Sequence, residues 1–194
     1  REITIPSSVT TIGNYSFYQC TSMTTITIEE GVTKIGSSAF SSCTSLKEIT
    51  IKRLREIYFE LINQAAHNIN LVTGTHFINA IAESLKDPLP VPVVYNCGGY
   101  ESINSLKLLE GKVQIYLPDL KYADNDLALK YSDAPNYFEI ATSAIKEMFR
   151  QVGKCEFDEN GIMTKGVIIR HLILPNNLEN TKKVIDWVKE NFND

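Results

Sequence analysis

Hydrophobic and polar positions repeat at a fixed interval along the first 51 residues. Ile3-Thr4-Ile5 recurs as Ile26-Thr27-Ile28 and as Ile49-Thr50-Ile51, with an offset of 23 residues each time. One such unit cannot bury its apolar face alone, so the pattern predicts units that stack as a β-solenoid. The same offset relates Val9 and Val32, Ile12 and Ile35, Gly13 and Gly36, Phe17 and Phe40, Cys20 and Cys43, and Met23 and Leu46.

At Lys52 this repeat gives way to alternating helices and strands. Leu54, Ile57, Tyr58 and Leu61 lie at helical spacing within residues 52–66. The segment between Leu117 and Phe138 is predicted as a loop. The predicted strands are Asn68–Val72, Val91–Tyr95, Val113–Leu117 and Gly166–Leu172. The later predicted helices are Phe77–Lys86, Ser102–Leu109, Phe138–Val152 and Leu178–Phe192.

The two patterns predict two domains. Residues 1–51 hold two repeats and a spare strand, and residues 52–194 form an α/β domain. Apolar strands that alternate with helices favour a parallel sheet with helical crossovers. In such sheets the chemistry lies in the loops at the carboxyl ends of the strands, so candidate site residues are sought there.

Composition narrows the possible partners. The chain has 194 residues, of which 43% are hydrophobic and 22% charged, and its net charge is -4. That charge gives no electrostatic case for nucleic-acid binding, which needs a concentrated basic patch. No apolar run reaches the roughly 18 residues that a membrane-spanning helix needs. We therefore expect no nucleic-acid partner and no membrane span.

The four cysteines are widely spaced: Cys20, Cys43, Cys97 and Cys155. None belongs to a CxxC or CxxxCxxC cluster, the close spacings that bind zinc or an iron–sulfur centre. We therefore expect small, semi-buried thiols and no metal ligands among them.

Glycine and polar residues follow three predicted strands, and the last predicted strand carries Arg170-His171. At one mouth of a sheet these segments would combine glycine turns, a carboxylate, two cations and two imidazoles, which suits a small-ligand pocket. The three loop segments are Thr73-Gly74-Thr75-His76, Asn96-Cys97-Gly98-Gly99-Tyr100 and Pro118-Asp119-Leu120-Lys121-Tyr122.

Simpler interpretations of these segments stay open. Asp119 and Lys121 are also typical of a surface charge pair, His76 of a neighbour to a helix cap, and Gly98-Gly99 of an ordinary tight turn. Arg170 is harder to explain in this way because it is predicted inside an apolar strand, where an unpaired charge is costly. Asp119 is one candidate partner for its guanidinium, and a ligand carboxylate is another.

The repeats ITIPSSVTTIGNYSFYQCTSMTT and ITIEEGVTKIGSSAFSSCTSLKE resemble BspA-like leucine-rich repeats over residues 1–51. The resemblance implies an interaction or adhesion surface in a cell-surface or secreted protein. Two repeats and a spare strand are fewer than the three or more units that a solenoid normally needs.

A second resemblance covers residues 52–194. The segments HNINLVTGTHF, VVYNCGGYES, VQIYLPDLKYADNDLALKYSDAPNYFEIA and GVIIRHLILPNN are similar, in this order, to the pyruvate formate-lyase activating enzyme-like branch of the radical S-adenosylmethionine (radical SAM) family. The resemblance implies a partial (β/α) barrel, S-adenosylmethionine and a [4Fe–4S] cluster as cofactors, and oxidoreductase chemistry. It also implies a cytoplasmic location and a glycyl-radical enzyme as protein substrate.

The radical SAM resemblance further implies roles for single residues. The Thr73–Thr75 turn would hold the methionine amino group through its backbone. Lys121 lies in an Asp-Leu-Lys motif whose lysine pairs with the methionine carboxylate, a role that suits an ammonium point charge. The implied cofactor-binding residues are Thr73, Gly74, Thr75, Asn96, Gly98, Asp119, Lys121 and Arg170.

Two departures limit the chemistry that this resemblance implies. The family binds its cluster through CxxxCxxC after its first strand, whereas repeats precede residue 52 here, and Cys20 and Cys43 belong to the repeat pattern. Because iron–sulfur clusters need thiolate ligands, we expect no cluster ligands and no catalytic residue in this chain. The closing strand of the barrel is also missing from the pattern. The sequence therefore predicts an incomplete barrel that is inactive alone.

Three functional hypotheses stay open. The chain is a radical SAM fragment with a residual S-adenosylmethionine pocket, a leucine-rich-repeat interaction or adhesion protein, or a non-functional fusion of two gene pieces. In a fusion, Ile49-Thr50-Ile51 would add to the exposed sheet edge in place of a lost strand. Open edges expose unpaired backbone groups, so we also expect self-association.

Overall fold

The computed structural model describes residues 2–29, 31–45 and 51–192. The chain divides into two compact units, Arg1–Leu54 and Arg55–Asp194, and the boundary falls within a helix. We refer to them as the repeat unit and the α/β unit.

The repeat unit consists of two short parallel sheets. Strand β1 (Glu2–Ile5) pairs with β3 (Thr25–Ile28), and β2 (Thr11–Ile12) pairs with β4 (Lys34–Ile35). The pairing joins residues 23 positions apart, since Ile3 faces Ile26 and Ile12 faces Ile35. The repeat predicted from the sequence is therefore confirmed as a repeat of structure.

Stacking between the repeats also involves their loops. The rings of Phe17 and Phe40 stack with centroids 5.2 Å apart, and the Phe17 N–H donates to the carbonyl of Ala39 at 2.7 Å. The Asn14 Oδ1 accepts from the Ser37 N–H at 2.8 Å, which satisfies a backbone donor of the next repeat. Each repeat thus supplies hydrogen-bond partners and an apolar surface to the other. One buried cluster of the repeat unit contains Ile5, Ile12 and Ala39.

The predicted spare strand has a different outcome. Ile49 and Thr50 lie outside the described residues, and Ile51 begins helix α1 (Ile51–Asn63). The helix predicted over residues 52–66 is confirmed. A strand at Ile49-Thr50 stays a prediction.

Strands and helices alternate in the first part of the α/β unit, as predicted, but two consecutive helices and two consecutive strands follow. Five predicted helices are present with ends that shift by a few residues. The strands are β5 (Ile69–Val72), β6 (Val93–Cys97), β7 (Ile115–Pro118), β8 (Glu156–Phe157) and β9 (Met163–Val167). After α1 the helices are α2 (Ile78–Ser84), α3 (Ile103–Lys107), α4 (Asn125–Ser132), α5 (Tyr137–Val152) and α6 (Leu178–Asn191).

Helix α4 corrects the prediction of a loop between Leu117 and Phe138. The Asp124 side chain caps this helix by accepting from the backbone N–H groups of Asp126 and Leu127. Such a cap satisfies donors that have no partner inside the helix. The cap residue was present in the sequence, but the polar residues around it concealed the helical pattern.

The sheet has the order β5-β6-β7-β9-β8. The first four strands in this order are parallel, whereas β8 pairs antiparallel with β9. The α/β class and the parallel pairing are therefore confirmed, and the antiparallel edge strand was not predicted. Because these four neighbouring strands run in the same direction, their carboxyl ends lie side by side.

Two strand ends differ from the prediction. Regular strand β9 ends at Val167, so the predicted strand Gly166–Leu172 is wrong in its second half. Beyond it, the N–H groups of Ile168 and Arg170 still donate to β7 carbonyls, at 2.9 Å each, and Arg170 forms an isolated bridge with Asp119. Strand β6 runs on to Cys97, so Asn96 and Cys97 belong to the strand and not to the following loop.

Helices α5 and α6 pack on the segment that follows β7. Leu120 and Tyr122 from that segment lie in one buried cluster with Tyr137 and Ile145 of α5 and Val184 of α6. The buried residues of α5 recur every three or four positions, as expected for one helix face on a core. The packing places two helices directly behind the candidate site.

We expect Ile12→Ala and Ile35→Ala to differ sharply, although both positions hold the same place in the repeat. Ile12 is 3% exposed and Ile35 is 53% exposed. Removing the buried side chain should lower the free energy of local unfolding of the repeat unit by about 2 kcal/mol or more, because it leaves a cavity. Hydrogen exchange of peptides from residues 2–29 in the full chain measures this difference. Equal losses in the two variants would contradict the described stacking.

Candidate functional site

Three backbone hydrogen bonds bring the predicted site segments to one edge of the sheet. The Thr73 N–H donates to the Asn96 carbonyl at 2.8 Å, and the Asp119 N–H donates to the Cys97 carbonyl at 3.0 Å. The Leu120 N–H then donates to the Arg170 carbonyl at 2.8 Å. The segments that follow β5, β6, β7 and β9 are therefore neighbours at the carboxyl ends of the strands.

A polar cluster, defined here as Asn96, Asp119, Lys121 and Arg170, occupies this edge. The Arg170 Nη2 donates to the Asn96 Oδ1 at 2.7 Å and pairs with the Asp119 Oδ1 at 2.8 Å. The Lys121 Nζ lies 3.4 Å from the Asp119 Oδ2. One carboxylate thus bridges two cations, and Asp119, one of the two candidate partners of Arg170, contacts its guanidinium.

The polar cluster is more open than predicted. The Arg170 side chain is 43% exposed, and that of Lys121 is 36% exposed. The prediction that Arg170 is buried in an apolar strand is therefore wrong, because β9 ends before it and the side chain reaches solvent. Two cations at a solvent-accessible sheet edge can meet an anionic group without a large desolvation cost.

The Thr73–Thr75 turn lies beside the cluster. Thr73 has left-handed backbone angles, φ 56 and ψ 41, and starts a short 3-10 helix over Gly74–Phe77 that contains His76. Gly74 is buried, and a Cβ there would lie 2.6 Å from the Ile81 Cδ1. The Thr75 hydroxyl donates to the Glu101 Oε1 at 2.7 Å. The turn is therefore tied to the segment after β6 by both backbone and side chain.

Gly99, and not Gly98, is the glycine that the geometry requires. Gly99 has φ +80, and a Cβ there would lie 2.0 Å from the Asp119 carbonyl oxygen. No atom lies within 4 Å of a Cβ added at Gly98, which is exposed. The sequence named Gly98 as a site residue, whereas the close approach that positions Asp119 belongs to its neighbour.

Glu101 is a buried carboxylate that sequence reasoning missed. The residue is only 4% exposed, and its Oε2 has no hydrogen-bond partner among the described residues. Burial raises the pKa of Glu101, and the hydrogen bond from Thr75 partly opposes that effect. A glutamate after a glycine turn carries no sequence signal of burial, so only the tertiary structure reveals it.

Side chains from α5 and α6 hold the Asp119–Lys121 segment. The Tyr137 hydroxyl accepts from the Lys121 N–H at 3.0 Å and donates toward the Asp119 carbonyl at 3.1 Å. Burial raises the pKa of Tyr137 to about 12, so the hydroxyl keeps its proton at neutral pH. The Asn180 Nδ2 of α6 donates to the Lys121 carbonyl at 3.0 Å.

His171 has a structural role in this arrangement. Its Nδ1 lies 2.7 Å from the Leu120 carbonyl, which can only accept, so Nδ1 carries a proton. Its Nε2 lies 3.0 Å from the Thr181 hydroxyl of α6. The imidazole therefore links the candidate site segment to α6, and both ring nitrogens are occupied.

The cysteines of the α/β unit do not form a metal site. Cys97 is buried, which raises the pKa of its thiol to about 12, and Cys155 is exposed. Over residues 2–29, 31–45 and 51–192 no group of three or more His, Cys, Asp or Glu side chains is arranged to hold a metal ion. In the same ranges no helix is long and apolar enough to cross a membrane.

Exposed apolar side chains belong to the segments at the same sheet edge, and we call them the apolar rim. Val72 is 63% exposed at the end of β5, and Phe77 is 62% exposed in the 3-10 helix. Leu172 and Ile173, which follow Arg170, are 55% and 62% exposed. Small-ligand sites combine a few polar groups with apolar walls, and both kinds of side chain occur on the segments at this edge.

Comparison with known proteins finds repeats in the first part of the chain. A family model described as "BspA type Leucine rich repeat region (6 copies)" matches residues 1–84. The N-terminal part of the chain is similar to these repeats. The match extends beyond the repeat strands of the structure, since α1 begins at Ile51 and β5 pairs with β6 of the α/β unit.

A curated relative covers more of the chain. The uncharacterized protein MJ0674 of Methanocaldococcus jannaschii is 30% identical over 131 residues, which is 64% of this chain and 34% of that protein. The chain therefore spans about a third of the length of that relative. A match of this length exceeds the repeat unit, so more than half of it lies in the α/β unit. No solved structure matches the chain.

We expect Gly99→Ala to lower the free energy of unfolding and Gly98→Ala to leave it almost unchanged. Alanine at Gly99 requires an unfavourable φ and displaces the Asp119 carbonyl, so the free energy of unfolding should fall by about 2 kcal/mol. Alanine at Gly98 meets no atom within 4 Å and should change it little. Urea unfolding of the full chain, followed by circular dichroism, measures both variants. A tolerated alanine at Gly99 would contradict the described approach of Gly99 to Asp119.

Proposed function

We propose that the α/β unit binds S-adenosylmethionine through the amino-acid end of that cofactor. The observation that carries the proposal is the contact of Asp119 with both Lys121 and Arg170 beside the Thr73–Thr75 turn. These residues are among those that the radical SAM resemblance names, and they come from three separate segments, after β5, β7 and β9. Their convergence supports a common ligand.

Lys121 is the cation best suited to meet the ligand carboxylate. Arg170 directs its Nη2 at both Asn96 and Asp119, at 2.7 and 2.8 Å. The Lys121 ammonium has three donors and makes a longer contact, at 3.4 Å, with Asp119. It can therefore turn toward a second anion while Asp119 stays paired with Arg170. The Thr73–Thr75 backbone would accept from the ligand ammonium, and the apolar rim would contact the adenosyl group.

The residues present do not fit a [4Fe–4S] cluster. A cluster needs several thiolates close together, and the α/β unit contains only Cys97 and Cys155. Cys97 is buried with a raised pKa, so its thiol is protonated at neutral pH. We therefore propose a binding role for the α/β unit without cluster chemistry. A glycyl-radical enzyme as partner stays a prediction.

We expect the full chain to bind S-adenosylhomocysteine, a stable probe with the same amino-acid end. Lys121→Gln should weaken this binding about tenfold, because it removes a charge-assisted hydrogen bond to the carboxylate. Lys86→Gln is the matched control, since Lys86 is 64% exposed and pairs with Glu83 at the surface. Isothermal titration calorimetry measures all three proteins. Equal affinity in the wild type and the Lys121 variant would reject the proposed orientation.

The repeat unit supports a second candidate function, as an interaction or adhesion module. The match to BspA-type repeats favours it directly, whereas the first proposal rests on geometry and on the sequence motifs. Tyr15 and Tyr18 are 60% and 46% exposed, and their rings meet edge to face at 5.7 Å. Paired exposed tyrosines suit a protein interface, where aromatic residues are enriched. A cell-surface or secreted location belongs to this proposal.

We expect the double variant Tyr15→Ser, Tyr18→Ser to lose a protein partner that the wild-type chain retains. The immobilised full chain is incubated with a cell-surface protein extract, and captured proteins are measured by quantitative mass spectrometry. Tyr131→Ser is the control, because Tyr131 is 53% exposed on α4 of the other unit. Identical capture profiles for the double variant and the wild type would reject this surface.

A further inference from the structure

The backbone of Lys121 is held by side chains and not by the sheet. Up to Leu120, each N–H of the segment after β7 donates to a neighbouring strand segment. At Lys121 the N–H donates instead to the Tyr137 hydroxyl at 3.0 Å. The Lys121 carbonyl accepts from the Asn180 Nδ2, also at 3.0 Å. Two helices therefore determine where this residue lies.

Asn180 is well suited to hold this position. It lies on α6, 59 residues from Lys121, and is only 4% exposed. Its Oδ1 accepts from the Ala123 N–H at 2.7 Å, so both ends of the amide have backbone partners. Because the Lys121 carbonyl can only accept and the Ala123 N–H can only donate, the orientation of the amide is determined. A buried amide with both partners satisfied is costly to disturb.

The helix that carries Asn180 is itself anchored. Val184 of α6 lies in the same buried cluster as Leu120 and Tyr137. The neighbouring Thr181 hydroxyl contacts His171, which also bonds to the Leu120 carbonyl. Asn180 therefore transmits the position of a packed helix to the backbone of Lys121.

We propose that Asn180 is a positioning residue that directs the Lys121 ammonium at the carboxylate of the ligand. It thereby makes the site select adenosyl ligands that keep their amino-acid end over those that lack it. The inference rests on the proposed S-adenosylmethionine binding and adds a residue that the sequence motifs do not include.

Asn180→Asp tests the proposal with an almost isosteric change. The carboxylate can still accept from Ala123 but cannot donate to the Lys121 carbonyl, which it repels. Asn191→Asp is the matched control, since Asn191 lies on the same helix and its Nδ2 donates to the Trp187 carbonyl at the surface. Calorimetry on the full chain compares S-adenosylhomocysteine with 5'-methylthioadenosine, which lacks the amino-acid end.

We expect Asn180→Asp to weaken S-adenosylhomocysteine binding about tenfold and to leave 5'-methylthioadenosine binding unchanged within about twofold. The control should change neither. Equal losses for both ligands indicate a general loss of structure and overturn the proposal, as does unchanged binding of both.

Tyr137→Phe provides an independent arm if Asn180→Asp does not fold. The ring stays in the core while the acceptor for the Lys121 N–H is lost, so the same ligand-selective weakening is expected. A wild-type chain that binds neither ligand rejects the proposed function and this inference with it. Binding that depends on Lys121 but is unchanged by Asn180→Asp and Tyr137→Phe rejects the inference alone.

Discussion

The candidate site depends on one carboxylate, Asp119, which joins two cations from different parts of the chain. Arg170 follows β9 and Lys121 follows β7, and both contact this side chain. The same two segments are joined through the backbone, since Asp119 and Arg170 form an isolated parallel bridge. Without Asp119, two positive charges at one sheet edge would repel each other. Arg170 also donates to Asn96, so side chains from three segments meet at this sheet edge.

The two units are stabilised in different ways. The repeat unit gains its order from contacts 23 residues apart, such as the pairing of Ile12 with Ile35, so each repeat needs a neighbour. The α/β unit has a continuous core in which helices α5 and α6 pack behind the site. A binding role for the repeats and a ligand role for the sheet edge therefore rest on independent structures. Loss of one function does not by itself imply loss of the other.

Prediction from sequence was accurate where a period or a motif was present. The repeat and the parallel strands follow from the spacing of apolar residues, whereas the sequence named Asp119 only as one candidate partner of Arg170. Prediction was wrong at the end of β9, because the apolar residues after Val167 continue the pattern of a strand. It was also wrong at α4, because the polar residues around Asp124 are typical of a loop. Glu101 was missed, since nothing local marks its burial. The ligand assigned to the site stays a prediction.

By itself the sequence determined the repeat, five of the helices and the four parallel strands, because hydrophobic period and turn residues are local properties of the chain. Only the tertiary structure decided which glycine is required, since the approach of Gly99 to Asp119 joins two strands. It likewise decided that Asn180 and Tyr137 hold the backbone of Lys121. Such contacts span up to 59 residues and arise from packing, for which a single sequence carries no periodic signal.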